Sequence, residues 1–255
     1  MIQAVGVVIP AHNEEDLLPS CLAAVREATR RLHRTAVHIV VVADACTDGT
    51  AEQARRGGAV VREIQARCVG SARRTGMREV LRRTRHLDRG RVWLATTDAD
   101  TLVPPEWLGQ QLHYATDGWD AVVGTVTVTD WSEHPPGVPS RFHQRYRSGG
   151  PGTHPHVHGA NLGFTASAYL VAGGFRPRRT AEDHALVASL TAAERRILRT
   201  TEINVLTSAR RHARAPRGFS QLLSSLAGPA QPGAAELAGA EAQASPARAA
   251  EARAG

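Results

Sequence analysis

Apolar and polar positions alternate in long blocks along the chain, and the blocks predict the elements. Val5 to Ile9 is a short apolar run closed by Pro10, as expected of a central strand. After "AHNEE", residues Leu18, Cys21, Leu22, Val25, Ala28 and Leu32 recur at helical spacing, with Pro19 placed where a first turn accepts it. Val37 to Val42 is a β-branched run of the kind buried on both faces of a sheet. "TDGTAEQARR" supplies turn residues and then a helix, for which Asp48 or Thr50 is the expected cap. "AVVREI" reads as a strand and "GSARRTGMREVLRRTR" as a helix with glycines in its first half. Val92 to Ala95 is a fourth strand, "PPEWLGQQLHYA" a helix announced by proline, and Ala121 to Val128 a further strand. Strand and helix thus alternate four times before that strand, which predicts an α/β class with a mostly parallel sheet and helices on both faces.

The second half is less regular. From Thr129 to His158, prolines, glycines and histidines crowd together, with one short helix expected near Pro139 to Arg147; a connection this long is usually functional or mobile. "GANLGFTASAYLVAGGF" predicts a strand and a helix, "AEDHALVASLTAAE" a helix, and "RILRTTEINVLTSARR" a strand. From about Gly228 onward the chain offers almost no large apolar residue, so burial cannot offset the entropy of ordering it. One domain over 1–227, with halves of about 1–128 and 129–227, and a disordered tail over 228–255 are the expected organisation.

Composition narrows the function. Of the 255 residues, 42% are hydrophobic and 22% charged, ordinary for a soluble globular protein. No apolar run approaches the roughly 18 residues of a membrane span, and the broken apolar start reads as a strand rather than a signal peptide. Cytoplasmic location is the expectation. The net charge of +7 comes entirely from arginine, with no lysine anywhere. The arginines are scattered rather than gathered into a stripe, which argues against nucleic acid and fits a GC-rich bacterial genome. Without lysine, Schiff-base chemistry, a pyridoxal phosphate anchor and a phosphate-loop lysine are excluded. Cys21, Cys46 and Cys68 stand far apart and read as free thiols.

Candidate chemistry gathers where strands end. After the fourth strand, "TTDADT" sets Asp98 and Asp100 two residues apart at the edge where open α/β sheets bind ligands. Two carboxylates held there relieve their repulsion by sharing a hard divalent cation, Mg2+ or Mn2+; the plain alternative is an acidic turn with a helix cap. "PAHNEE", "ADACTDGT" and "GSARRTG" lie at the same edge and could line a nucleotide pocket. Pro10, Ala11, Asn13, Glu14 and Asp44 are its candidates, each open to a turn-forming or capping explanation when taken singly.

The ordered string "VVIPAHNEE…VVVADACTDGTA…GSARRTGM…TTDADT…GGF…AEDHAL" resembles family 2 glycosyltransferases with the GT-A fold, over about Val5 to Leu190. The resemblance implies a Rossmann-like GT-A sheet, a nucleotide-sugar donor and transfer to an acceptor hydroxyl with inversion. It implies that Asp44 reads the base, Asp98 lies near the ribose, Asp100 binds the metal, and Gly70 and Arg73 pass the base and diphosphate. Ala43 and Cys46 depart from the family's usual "DDGSTD", which loosens the assignment of the base. Asp183 matches the catalytic base, with Glu182 its competitor; adjacent helical residues point about 100° apart, so one of the two faces a pocket. An acid-rich helix start is the plain alternative for both. His156, His158, Gly159 and Asn161 fall on the acceptor side. His212 is a candidate third metal ligand, and Arg210, Arg211 and Arg214 are candidate diphosphate contacts. A zinc site in "HPHVH" is the weaker reading of those histidines, surface or substrate contact the stronger.

The acceptor class stays open among lipids, sugars and small metabolites; a lipid acceptor requires peripheral membrane contact through apolar or arginine-bearing loops. Phosphatase, pyrophosphorylase and dehydrogenase readings lack their motifs. A non-catalytic nucleotide-sugar-binding relative is the rival of a different class, and its expected mark, loss of the D-x-D or the late acid, is missing.

Overall fold

The computed structural model describes residues 1–146, 152–208 and 226. His212, Arg210, Arg211, Arg214 and the tail expected over 228–255 lie outside the described residues.

Eight strands form one sheet in the order β3-β2-β1-β4-β7-β6-β8-β5. The first three in sequence, β1 (Ala4–Ala11), β2 (Ala36–Asp44) and β3 (Val60–Ile64), run parallel to each other and to β4 (Val92–Thr96). The helices between them are α1 (Leu18–Arg30), α2 (Thr50–Arg56) and α3 (Val69–Arg83). Beyond β4 the regularity stops: β7 (Leu162–Thr165) inserts antiparallel between β4 and β6 (Ala121–Val128). β8 (Ile197–Thr207) continues parallel to β6, and the two-residue β5 (Thr101–Leu102) closes the edge against it. The remaining helices are α4 (Trp107–Thr116), α5 (Val138–Tyr146), α6 (Ala166–Val171) and α7 (Glu182–Ala192).

Cores lie on both faces, which explains the continuous apolar runs of the central strands. Val5, Val7 and Ile9 of β1 face one side with Val41, Trp93 and Ala95, under α1 and α4. Ala4 and Val8 face the other with Val40, Val42 and Leu94, against α3, α6 and α7. Full burial of each such side chain contributes about 1.5–3 kcal/mol.

Two helix starts differ from expectation. α2 begins at Thr50 behind Gly49 with no side-chain cap, although Asp48 Oδ1 accepts from the Thr50 backbone N–H at 3.0 Å. α4 begins at Trp107, two residues past Pro105, because Trp107 is drawn fully into the core, where its Nε1–H reaches Asn161.

Candidate active site

β1 and β2 end at the same level, Ala11 opposite Ala43, and β4 ends beside them with Thr96 opposite Val8. The loops leaving these three ends carry Asn13, Asp44, Asp98 and Asp100. Among the described residues, four of the six non-glycine residues with positive φ also stand at this edge or facing it: Asn13, Ala45, Arg67 and Ala181. Such backbone costs of order 1 kcal/mol per residue and is found where surrounding structure enforces it.

At the β1–β2 corner the polar side chains are spent on the chain itself. The Asn13 Oδ1 accepts from the Thr47 N–H at 2.8 Å, and the Glu14 N–H donates to Thr50 Oγ1 at 2.7 Å. The buried Asp44 carboxylate accepts three backbone N–H groups, from Ala66 (2.7 Å) and Arg67 (2.8 Å) on Oδ1 and from Cys68 (2.7 Å) on Oδ2. It clasps the β3–α3 loop. His12, which the sequence reading passed over, reaches the Asp44 carbonyl with Nδ1 at 2.6 Å. Pro10 and Ala11 are the last two residues of β1, paired with Val42 and Ala43. Gly70 is tight for a packing reason: an added Cβ there lies 2.2 Å from the Arg176 carbonyl oxygen, and its N–H donates to the Arg178 carbonyl at 3.0 Å.

At the β4–α7 corner, residues remote in sequence meet. The Arg73 guanidinium is 3% exposed. It donates to Asp98 Oδ1 at 2.5 Å, to Thr96 Oγ1 at 3.3 Å and to Glu182 Oε1. Glu182 is buried, and that burial pushes its carboxyl upward while Arg73 pulls it down. Asp183, half-buried, faces elsewhere: its Oδ2 accepts from the Gly159 N–H and its Oδ1 from the His184 N–H, both at 2.8 Å. The two neighbours thus divide as their helical angle requires, one into an ion pair and one toward the loop over the edge.

Asp98 and Asp100 are half-buried, and their charges, with that of Glu14, add to burial in pushing the Cys21 thiol up. Asp98 and Asp100 thus offer two hard oxygen donors at this strand end, and the buried Arg73 bonds the first of them. Such a donor set fits Mn2+ or Mg2+. Among the described residues no group of three or more His, Cys, Asp or Glu side chains is arranged to hold a metal ion. A cation held here would complete its shell with water and substrate oxygens.

A family model, Glycosyl transferase family 2, matches residues 6–170. The chain belongs to that family. An undecaprenyl-phosphate 4-deoxy-4-formamido-L-arabinose transferase from Pseudomonas paraeruginosa (strain DSM 24068 / PA7) is 39% identical over 132 residues, 49% of this chain. The match spans only 36% of that relative's length. Among solved structures, the mannosyltransferase PcManGT from Pyrobaculum calidifontis, in complex with GDP-Man and Mn2+, superposes with a TM-score of 0.62 at 21% identity. That likeness covers 89% of this chain and 70% of the other. S. aureus TarS 1-349 in complex with UDP-GlcNAc gives 0.59 at 15% identity, over 83% of this chain and 60% of that one. The sheet is the GT-A fold of these glycosyltransferases.

Within this family 2 chain the acceptor-side candidates separate. Asn161 is 1% exposed and fully engaged: Oδ1 accepts from Trp107 Nε1–H at 2.9 Å, and Nδ2 donates to the Thr125 and Ile203 carbonyls at 2.8 and 3.0 Å. It staples α4, β6 and β8. Gly159 supplies the N–H that holds Asp183. His158 Nε2 lies 2.8 Å from the Tyr146 hydroxyl, which accepts from the Val126 N–H at 2.9 Å. Burial pushes His158 down to about 4, against the opposing pull of Asp183.

The "HPHVH" histidines are neither exposed nor a metal cluster. His154 is buried against the Val123 carbonyl at 3.1 Å, and His156 stacks on Tyr146 with ring centres 4.1 Å apart. Tyr146 escaped the sequence reading because a single tyrosine at the end of a short helix carries no pattern.

Proposed function

We propose that the protein transfers a sugar from a nucleotide-diphosphate sugar to an acceptor hydroxyl with inversion, and that residues 1–227 act as one catalytic domain. The observation that carries the reading is the division of Glu182 and Asp183: one is consumed by Arg73, the other is held by two N–H donors and left half-exposed. A carboxylate oriented in that way is equipped to take a hydroxyl proton, a contribution of about 10²–10⁴-fold. Its removal makes the acceptor oxygen a nucleophile toward the sugar C1, while the C1–O bond to the diphosphate breaks on the opposite face.

The donor lies across the ends of β1, β2 and β4, its nucleoside beside Pro10, Ala11, Asn13 and Asp44. In this placement the clasped Asp44 carboxylate shapes the base pocket through residues 66–68. Asp100, with Asp98 beside it, would hold a divalent cation, which would supply positive charge for the departing diphosphate. The named relatives of the matched segment support a polyprenyl phosphate as a second acceptor class. A phosphate monoester arrives already ionised, so Asp183 then has little proton to take and its loss costs little.

The test incubates purified protein with Mn2+, UDP-, GDP- and dTDP-sugars, and either soluble hydroxyl acceptors or vesicles carrying polyprenyl phosphate, reading nucleoside diphosphate release. Release from one donor, lost in Asp100→Ala and Asp183→Asn, supports the hydroxyl reading. Release to the phosphate lipid, retained in Asp183→Asn, replaces it with the second. Donor binding that never leads to release under any acceptor contradicts both.

A further inference from the structure

We propose that Arg73 is a positioning residue that ties the Asp98 corner to the start of α7 and so fixes where Asp183 stands. Its chemical consequence rests on the transfer reading above; its structural content does not.

Three observations carry it. The guanidinium has three nitrogens, and each donates to the chain: Nε to Thr96, one terminal nitrogen to Asp98, the other to Glu182. The Phe175 ring lies 5.8 Å from its central carbon. Only by moving out from its 3% exposed position would this group present itself to a diphosphate, and leaving Glu182 as an uncompensated buried charge is strongly unfavourable.

The second observation is Gly159. A Cβ there lies 2.3 Å from an Arg73 terminal nitrogen, so only glycine lets the guanidinium pass beneath the loop. The same residue's N–H holds Asp183 at 2.8 Å. Arg73 thus supports the loop that orients the candidate base.

The third is the helix start itself. Ala181 enters α7 with φ 55° and no side-chain cap, so nothing in the cap fixes the rotation of the first turn. Glu182, pointing inward to Arg73, sets that turn together with the buried Leu186, Val187 and Leu190, and Asp183 follows about 100° round. One buried cation spans residues from β4 to α7 and binds the donor-side acid and the acceptor-side acid into one frame.

The experiment uses the full chain with Mn2+ and reads three quantities for Arg73→Gln, Arg73→Lys and the paired Arg73→Met/Glu182→Leu. These are donor Kd by calorimetry, kcat, and amide exchange at residues 159 and 184. For Arg73→Gln the expected result is kcat lower by about 10–100-fold, donor Kd within about threefold (the margin at which binding counts as kept), and faster exchange at both amides. Arg73→Lys keeps the charge but not the fork, and falls between. The paired variant removes both buried charges and keeps the volume, so it folds even where Arg73→Gln does not; its kcat stays low.

A donor Kd raised tenfold or more with kcat kept makes Arg73 a donor contact and overturns the proposal. So do wild-type kcat in the paired variant and unchanged exchange at both amides. If the unaltered protein turns over no donor, the transfer reading fails and the exchange rates still decide whether Arg73 positions Asp183.

Discussion

At the β1–β2 corner, Asn13 bonds Thr47 and Asp44 bonds residues 66–68, each polar side chain holding a loop of its own neighbourhood. At the β4–α7 corner, Arg73, Asp98, Gly159, Glu182 and Asp183 come from four separate stretches and meet through one buried guanidinium. Both corners sit at the same edge of one sheet. The difference teaches that a polar residue at a strand end is not by itself a ligand contact: the first corner builds walls, and the second arranges charges. Substitutions at the first should therefore register chiefly as stability, and those at the second as rate.

The largest stability effect is expected outside both corners, at the staple. Asn161→Ala leaves the Trp107 indole N–H without its acceptor and takes a donor from two buried carbonyls, a loss of about 3 kcal/mol. Urea titration measures it, and the acceptor KM should stay unchanged in protein that remains folded. An altered KM at unchanged stability returns Asn161 to the acceptor site.

Asp44→Ala frees three N–H groups, two of them nearer solvent, and should cost about 2 kcal/mol. The same titration with the donor present sharpens the comparison. If Asp44 shapes the pocket through 66–68, donor affinity falls together with exchange protection of those amides. Lost affinity with the amides still protected makes Asp44 a direct base contact.

A smaller effect follows from pH. His158 falls from 6.5 to about 4 on folding, so between those values the unfolded chain binds a proton that the native one does not. Stability then rises with pH across that window and is lost as pH falls through it. Its glutamine variant, which can still bond Tyr146, should show a flatter stability profile from pH 6.5 to 4. Glu79 works lower: three arginines hold it down to about 2, so its contribution is present above 4.5 and disappears toward pH 2.

Much of the first half was legible because burial on both faces writes an unbroken apolar run. The strand expected over Ala121 to Val128 is the observed β6, and the short helix expected near Pro139 is α5. Strand direction leaves no such mark, so the antiparallel insertion of β7 could not be read, and β5 has two residues and no period. Cys21, Cys46 and Cys68 are free thiols, as their spacing indicated.

The site was legible in its acids and not in their partners. A buried asparagine and an exposed one look alike in sequence, so the burial of the acceptor-side candidate Asn161 could not be read. The sequence names Asp183 as the base with Glu182 its alternative, and the partner that engages Glu182, Arg73, lies 109 residues away where no local pattern reveals it.

The paired comparison of Asp183→Asn with Glu182→Gln tests the central claim most directly, since both substitutions are isosteric and the residues are adjacent. With a hydroxyl acceptor, the account predicts that Asp183→Asn lowers kcat by about 10³-fold or more with donor Kd unchanged, while Glu182→Gln retains at least about a hundredth of the rate. The reverse order would contradict it, making Glu182 the base and Asp183 a helix-start acid.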